Sequence, residues 1–287
     1  MKRKNLIGAF TAVGMVLWAA AASATPGLME LAVRSGFWSN QFPDTTIMLQ
    51  HLYYNTYDQV WDDGGDKQDV GKTKITANFT RLIRPWHFGD QKQYQFILEA
   101  ILPFANVSFE GEPTGGHVSG ILDPMIYLAQ GWNNPGKTTH VQAALVIRAP
   151  WGDTDLTNNA WAFQPILAVQ QSFGMFSIDA SASYQIETNT LEGDENRGRN
   201  YLELNFIPSF NLGGGWDVFM QGDYTKYMKS RTHGDSNDDA GYNVCAALGV
   251  NNWFRPNMQL GIKGEYDIKG KNTPASKGFN LRYLWIF

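Results

Sequence analysis

The last nine residues of the chain, Phe279 to Phe287, carry an aromatic residue or a leucine at every second position. Alternate side chains of a β-strand share one face, so these residues form one apolar surface. A β-barrel in lipid needs outward apolar side chains at every second position, with aromatic residues near the membrane interface. The pattern therefore predicts the closing strand of an outer-membrane β-barrel, and a buried strand of a soluble β-sandwich is the alternative. We expect the barrel-insertion machinery to recognise the aromatic residues of this strand as an assembly signal: Tyr283, Trp285 and Phe287.

The beginning of the chain has the organisation of a secretory signal peptide. Three basic residues at positions 2–4 precede an apolar run from residue 6 to about residue 20, and small residues follow at 22–24. The apolar run is too short for a transmembrane helix. We therefore expect a signal peptide at 1–24, an N-terminal leader at 25–45 and an outer-membrane β-barrel at 46–287. The leader is interpreted either as a lumen plug or as a disordered or periplasmic segment.

Composition agrees with an exported barrel. Removing the three basic residues of the signal peptide from the 23 Lys and Arg leaves 20, against 27 Asp and Glu, which gives a net charge of −7. No basic patch indicates a nucleic-acid partner. The single cysteine, Cys245, excludes an internal disulfide and is interpreted as a packing residue.

Period-2 alternation recurs along the chain, most clearly in the second half. From Phe176 to Glu187 the even positions are apolar or aromatic and the odd positions are polar, so one face suits lipid and the other suits water. The same analysis predicts about twelve strands of about ten residues each, the length of a tilted membrane crossing. The predicted strands lie near 46–58, 73–84, 93–105, 120–131, 138–149, 160–172, 175–188, 200–212, 215–228, 241–253, 257–269 and 278–287.

The connections between these strands alternate in length. Short turns are typical of the periplasmic side of such barrels and longer polar loops of the external side. An even number of strands places both termini in the periplasm. The fold class is therefore predicted to be an all-β, antiparallel transmembrane barrel in the bacterial outer membrane, with long loops at 59–72, 106–119, 150–159, 189–199, 229–240 and 270–277.

Four prolines fall inside predicted strands. Proline has no N–H to donate to a ladder, so Pro103, Pro124, Pro165 and Pro208 are expected at bulges or strand ends. The alternative is that one of these strands is broken in two.

Alternation also assigns charged residues to the inner face. A Lys or Arg facing lipid at the membrane midplane costs about 2–4 kcal/mol, so charged side chains should face the lumen. They either pair across the lumen to hold the wall or set the charge preference of a pore. The predicted lumen-lining residues are Glu99, Asp123, Arg148, Asp179, Glu187, Glu203, Asp217, Asp223, Lys263, Glu265 and Arg282.

No catalytic or metal-binding motif is evident. An outer-membrane phospholipase is also a twelve-stranded barrel and needs a histidine and a serine on its outer face, for which His140 is the candidate histidine. The acidic run at Asp62, Asp63 and Asp66 lacks the spacing of an EF-hand and is interpreted as a solvated loop. We predict no catalytic residue, no metal and no cofactor.

Three segments in the middle of the chain carry a family resemblance. Ser119 to Pro124 reads Ser-Gly-Ile-Leu-Asp-Pro and runs into Leu128 to Trp132, Arg148 to Gly152 reads Arg-Ala-Pro-Trp-Gly, and Asn158 to Ala168 reads Asn-Asn-Ala-Trp-Ala-Phe-Gln-Pro-Ile-Leu-Ala. They resemble the outer-membrane transporter family labelled after the meta-pathway of phenol degradation. The resemblance implies passive uptake of a small, poorly water-soluble molecule, aromatic or otherwise hydrophobic.

The sequence thus predicts an outer-membrane channel for a small hydrophobic or aromatic compound. Its expected partners are that solute, outer-membrane lipid and lipopolysaccharide, and the barrel-insertion machinery. The alternatives are a structural or adhesive barrel whose loops bind external partners and a phospholipase-type enzyme.

Overall fold

The computed structural model describes residues 44–110, 116–153, 155–157, 159–191 and 195–287. The predicted signal peptide at 1–24 and the leader at 25–45 lie outside these ranges, except for the last two leader residues. Within the described residues, no helix has the length and hydropathy required to cross a membrane.

The described residues form one closed antiparallel sheet, in which twelve long strands make the wall. This confirms the predicted all-β barrel of twelve strands. Short pieces are added to the wall, since β4 pairs with β3, β15 pairs with β1, and β11 and β12 form a separate hairpin. The strands are β1 (Ile47–Trp61), β2 (Lys67–Phe88), β3 (Tyr94–Glu110), β4 (Gly116–Ile121), β5 (Met125–Asn133), β6 (Thr139–Arg148), β7 (Ala162–Phe173), β8 (Phe176–Glu187), β9 (Tyr201–Gly213), β10 (Trp216–Tyr227), β11 (Arg231–Thr232), β12 (Asp235–Ser236), β13 (Gly241–Arg255), β14 (Met258–Lys271), β15 (Thr273–Pro274) and β16 (Lys277–Ile286).

The barrel closes through β1, which pairs with β2 on one side and with β16 on the other. The closing ladder runs from Ile47 opposite Ile286 to Thr56 opposite Lys277. Beyond it, the backbone N–H of Thr46 donates to the Phe287 carbonyl at 3.1 Å, and the Phe287 N–H donates to the Thr46 carbonyl at 3.0 Å. The first and last strands are therefore paired along their whole shared length.

Side chains alternate across the wall as the sequence predicts. In β16, Phe279, Leu281 and Trp285 face outward and are exposed, whereas Arg282 and Leu284 face inward and are buried. The same alternation of exposed apolar and buried side chains recurs in strand after strand. The exposed apolar face is the surface that lipid covers in an outer-membrane barrel.

Aromatic residues form a girdle at the end of the barrel that carries the short turns. Neighbouring rings contact one another there, as expected for side chains that sit at the membrane interface. The contacting pairs are Trp86 with Phe96, Phe88 with Tyr94, Phe173 with Phe176 and Trp285 with Phe287, with ring centroids 5.2–6.3 Å apart.

Two predicted long loops are wrong, because their residues continue the barrel strands. The connection between β1 and β2 covers only 62–66, and that between β3 and β4 only 111–115. At the start of β2, residues 67–72 carry polar side chains on both faces, so the sequence shows no apolar alternation there. At the end of β3, Val107 and Phe109 do alternate with polar residues, in a stretch of only five residues. Lys67 stabilises the first hairpin, since its ammonium lies 4.7 Å from the Trp61 ring centroid.

The prolines coincide with gaps in the hydrogen-bond ladders. The strand predicted at 120–131 is broken at residues 122–124, between β4 and β5, which confirms the alternative of a divided strand at Pro124. Pro103 on β3 faces this break, where its carbonyl accepts from the Leu122 N–H at 3.1 Å. The β7–β8 register skips Pro165 and the β9–β10 register skips Pro208. Each proline thus lies where one neighbouring strand does not need its N–H.

A leucine-to-arginine pair tests the assignment of the outer face. Leu167 is 61% exposed in the middle of β7, and Leu191 is 60% exposed in the connection between β8 and β9. Leu167→Arg should reduce the free energy of unfolding in lipid vesicles by about 2–4 kcal/mol, because it places a cation in hydrocarbon. Leu191→Arg should leave it unchanged. Urea titration of vesicle-inserted protein measures both, and equal effects would contradict the lipid-facing assignment of β7.

Candidate functional site

The inner faces of β1, β2, β3 and β5 are largely apolar. Sixteen buried apolar side chains form one cluster, which covers these four strands and includes two residues of β16 and single residues of β6 and β7. Such a surface does not hydrogen-bond to water. The cluster, called here the apolar wall, contains Ile47, Leu49, Tyr53, Ala77, Phe79, Ile83, Ile97, Ile101, Ala105, Met125, Tyr127, Ala129, Val146, Ile166, Leu284 and Ile286.

The opposite half of the interior is polar. The inward positions of β8, β9, β10, β13 and β14 carry mostly carboxyl, amide and hydroxyl groups, and these are buried. The twelve long strands form a ring, in which β9 is the sixth strand from β2 in either direction. The two strands therefore face each other across the lumen. This surface, called here the polar wall, includes Asp179, Ser181, Ser183, Gln185, Glu203, Asn205, Gln221, Asp223, Thr225, Asn251, Gln259, Lys263 and Asp267.

A buried ion pair crosses the apolar wall. The guanidinium of Arg81 on β2 donates to the carboxylate of Glu99 on β3, and both side chains have 1% exposure or less. Tyr127, next to Glu99 in register, accepts from the amide of Gln142. Charges in this low-dielectric surrounding are tolerated only as pairs with hydrogen bonds.

Two cations anchor the polar wall. The ammonium of Lys263 donates to Gln221 Oε1 at 3.1 Å and lies 3.2 Å from Glu265 Oε2. The guanidinium of Arg282 donates to Asn251 and, at 3.1 Å, to Gln259 Oε1. Each cation therefore ties together side chains from different strands.

A third cation, Arg148, joins the segments that carry the family resemblance. Its Nη2 donates to Glu187 Oε2 at 2.7 Å, and its Nε lies 3.6 Å from Asp123 Oδ2. Asp123 Oδ1 in turn accepts from the Gly152 N–H at 3.0 Å. A side chain at Gly152 would strike the backbone at residues 122–123. The segments 119–124 and 148–152 thus pack together around the break between β4 and β5.

Eight of the eleven predicted lumen-lining residues are buried on the inner face: Glu99, Asp123, Asp179, Glu187, Glu203, Asp223, Lys263 and Arg282. Arg148, Asp217 and Glu265 are partly buried on the same face. The structure brings them into several separate groups rather than one cluster. Their part in charge preference stays a prediction.

Sequence reasoning missed several polar residues of the interior. Arg81 is among the largest fully buried side chains, and His51 on β1 is also buried. Their inward neighbours are mainly apolar, so β1 and β2 show little polar contrast between their two faces. The available signal was a charged residue, Arg81, at an inward position between the apolar Phe79 and Ile83.

His140 does not supply the histidine that an outer-face phospholipase needs. It lies on the inner face, 4% exposed, with its ring nitrogens 2.9 Å from Gln95 Nε2 and 2.9 Å from Asn133 Oδ1. The imidazole is therefore part of a buried amide network near the short turns. That location contradicts its interpretation as a catalytic residue at the lipid surface.

The acidic run at the β1–β2 turn has a local structural role. Asp62 Oδ1 accepts from the Asp66 N–H and Asp62 Oδ2 accepts from Gln68 Nε2, both at 2.9 Å. These hydrogen bonds hold the pKa of Asp62 below its usual value. Among the described residues, no group of three or more His, Cys, Asp or Glu side chains is arranged to hold a metal ion.

A family model covers most of this chain. The model described as "Putative MetA-pathway of phenol degradation" matches residues 57–283, which span the barrel from β1 to β16. The chain belongs to this family. The resemblance at residues 119–168 is thereby confirmed. No curated protein is significantly similar to the chain in sequence.

Solved structures share the barrel of this family member. The COG4313 outer membrane channel from Pseudomonas putida has a TM-score of 0.78 at 18% identity, covering 85% of this chain and 96% of that chain. The CymD monoaromatic hydrocarbon channel has a TM-score of 0.53 at 7% identity, covering 89% and 93%. The translocator domain of autotransporter NalP from Neisseria meningitidis has a TM-score of 0.54 at 9% identity, covering 94% and 99%. The chain therefore has the fold of an outer-membrane β-barrel.

The buried pair of Arg81 and Glu99 has an exposed counterpart on the same two strands, Lys74 with Glu110. Glu99→Gln should reduce the free energy of unfolding by about 3–5 kcal/mol, because it leaves the Arg81 charge buried without its carboxylate. Glu110→Gln should leave stability unchanged, because water screens that pair.

The double variant Arg81→Met/Glu99→Leu tests whether the ion pair stabilises the barrel more than two apolar side chains do. It should recover most of the loss, since two apolar side chains replace two charges within the apolar wall. Guanidinium unfolding of detergent-solubilised protein measures all three variants. A double variant as unstable as Glu99→Gln would show that the pair has a further structural function.

Proposed function

We propose that the protein is an outer-membrane channel for passive uptake of a small hydrophobic or aromatic compound. The observation that carries the proposal is the apolar wall, which covers most of the inner face of β1, β2, β3 and β5 in a barrel that already has an apolar outer face. Outer-membrane barrels that conduct water-soluble solutes have a polar, water-filled interior. An apolar inner surface instead favours contact with a solute that water solvates poorly.

The energetics agree with a nonpolar cargo. Transfer of apolar surface from water to an apolar surface is favourable by about 25 cal/mol per Å², so a single aromatic ring gains appreciably from contact with residues such as Phe79 and Ile101. The phenol-degradation label of the family and the hydrocarbon named for the CymD channel support the same class of solute.

The charged residues of the interior serve chiefly to hold the wall. Arg81, Arg148, Lys263 and Arg282 each contact acceptors on neighbouring strands. Because these cations have protein partners, they favour a rigid interior over a strong preference for charged solutes. The proposed cargo is accordingly a neutral molecule.

The other partners follow from the outer surface. The apolar outer face contacts outer-membrane lipid and lipopolysaccharide, and the barrel-insertion machinery recognises the aromatic face of β16 at Tyr283, Trp285 and Phe287. No catalytic step is proposed for any residue of the barrel.

Uptake at limiting concentration tests the proposed transport. A Gram-negative strain without its copy of the gene should take up labelled toluene or phenol more slowly than the parent strain, and the plasmid-borne gene should restore the rate. At high concentration the difference should disappear, because slow permeation through other routes then suffices. A disaccharide serves as the control solute and should enter both strains equally. Equal uptake of the aromatic solutes at limiting concentration would favour the structural or adhesive alternative.

A pair of phenylalanine variants tests the assembly signal. Phe287 and Phe173 are 58% and 59% exposed and both belong to the aromatic residues at the short-turn end. Phe287→Ala should lower the amount of folded protein in the outer membrane, because it removes the terminal aromatic side chain of the signal. Phe173→Ala should have little effect. Heat-modifiable mobility in gels of isolated outer membranes measures both, and equal levels for the two variants would contradict the signal.

A further inference from the structure

Glu203 is a buried carboxyl group without a hydrogen-bond donor. It lies on β9 within the polar wall with 1% exposure, and neither of its carboxyl oxygens has a partner. An unpartnered polar group in the interior costs stability, more so for a charged group. Glu99 and Glu187, by contrast, both accept hydrogen bonds from arginine.

Two neighbouring side chains also have an oxygen without a hydrogen-bond partner. Asn205, the next inward residue of β9, has no donor for its Oδ1, and Ser181, which is opposite Asn205 on β8, has no partner for its Oγ. The residues level with Glu203 on the adjacent strands are Ser183 and Thr225, whose side chains are small. The patch is therefore rich in acceptors and lined by short side chains.

The donors of the surrounding wall are engaged elsewhere. The amide of Asn205 donates to Asp223, as does the amide of Gln221 at 2.8 Å. The ammonium of Lys263 contacts Gln221 and Glu265. The hydroxyls of Ser183 and Thr225 lie on the adjacent strands, but no donor of the wall is within hydrogen-bond distance of either Glu203 oxygen. A solute in the lumen can supply that donor.

We propose that Glu203 binds the hydroxyl group of a neutral aromatic solute during passage, with Asn205 and Ser181 as secondary acceptors. This inference rests on the proposed function and names its substrate class as hydroxylated rather than purely hydrocarbon. The two walls suit such a molecule, because β2, one of the strands of the apolar wall, faces β9 across the lumen. The ring would contact the apolar wall while the hydroxyl donates to Glu203.

An inorganic cation fits the patch less well. Hard cations take several oxygen ligands, often with more than one carboxylate. Within the described part of the chain, no three acidic, histidine or cysteine side chains are arranged for such a site. A hydroxyl donor needs only one well-placed carboxyl group.

The test compares uptake of labelled phenol and labelled toluene, which are similar in size and differ in the hydroxyl. Cells lacking the native gene express the wild-type protein, Glu203→Gln or the exposed control Glu110→Gln at matched outer-membrane levels. Glu203→Gln should slow phenol uptake about tenfold, because the glutamine amide can donate to Asn205 and Ser181 and then no longer presents two free oxygens to the solute hydroxyl. Toluene uptake should be unchanged, and Glu110→Gln should alter neither.

Stability provides the second readout. Glu203→Gln should raise the urea midpoint of the detergent-solubilised protein, because it removes an unpartnered buried carboxyl and adds a donor near Asn205 and Ser181. A lower midpoint or loss of heat-modifiable folding would identify Glu203 as a structural residue and overturn the proposal.

The remaining outcomes are also decisive. An unchanged ratio of phenol to toluene uptake in Glu203→Gln would overturn the hydroxyl site while leaving the channel function intact. If that ratio is unchanged but the zero-current potential in a KCl gradient shifts, the site holds an inorganic cation and the proposal is again overturned. If wild-type protein accelerates neither solute, the proposed function itself fails and this inference fails with it.

Discussion

In the hydrocarbon layer of a membrane, a backbone N–H or C=O without a partner costs several kcal/mol, and no water is present to supply one. The ladder between β1 and β16 meets this constraint by leaving the wall without an open edge. The prolines obey the same constraint. Pro165 and Pro208 lie where one ladder is already interrupted, and Pro124 lies where the wall strand is divided between β4 and β5.

The closed barrel also determines which positions can carry polar side chains. Lipid requires apolar side chains at every outward position, so with a period of two only the inward positions can vary in polarity. This barrel divides those positions between an apolar wall on β1, β2, β3 and β5 and a polar wall on β8, β9, β10, β13 and β14. A charge within the apolar wall needs an adjacent partner, as Arg81 has in Glu99. In the polar wall amides also hold the cations: Gln221 accepts from Lys263 beside its ion pair with Glu265, and Asn251 accepts from Arg282.

The sequence predicted the strands best where the two faces differ. In β8 every outward residue is apolar or aromatic and every inward one is polar, and the predicted bounds of 175–188 fall within one residue of Phe176–Glu187. In β2 the inward face is itself largely apolar, so alternation revealed neither the full strand nor Arg81. The contact between residues 119–124 and 148–152 depends on the close approach of Gly152 to the backbone of residues 122–123, which no local pattern specifies.

Three inward glutamates differ in their partners, which the sequence pattern does not predict. Glu99, Glu187 and Glu203 each occupy an inward strand position, and alternation treats them alike. The partners of Glu99 and Glu187 lie on other strands or in a connecting loop, so the folded structure, and not the alternation within one strand, distinguishes the three. Glu99 pairs with Arg81, and Glu187 accepts from both Arg148 and the Gly198 N–H, whereas Glu203 has no donor. A wall that satisfies two of these carboxylates with arginine could have satisfied the third in the same way. Natural proteins commonly give up stability at binding sites, and a buried acceptor left without a donor is one physical form of that loss.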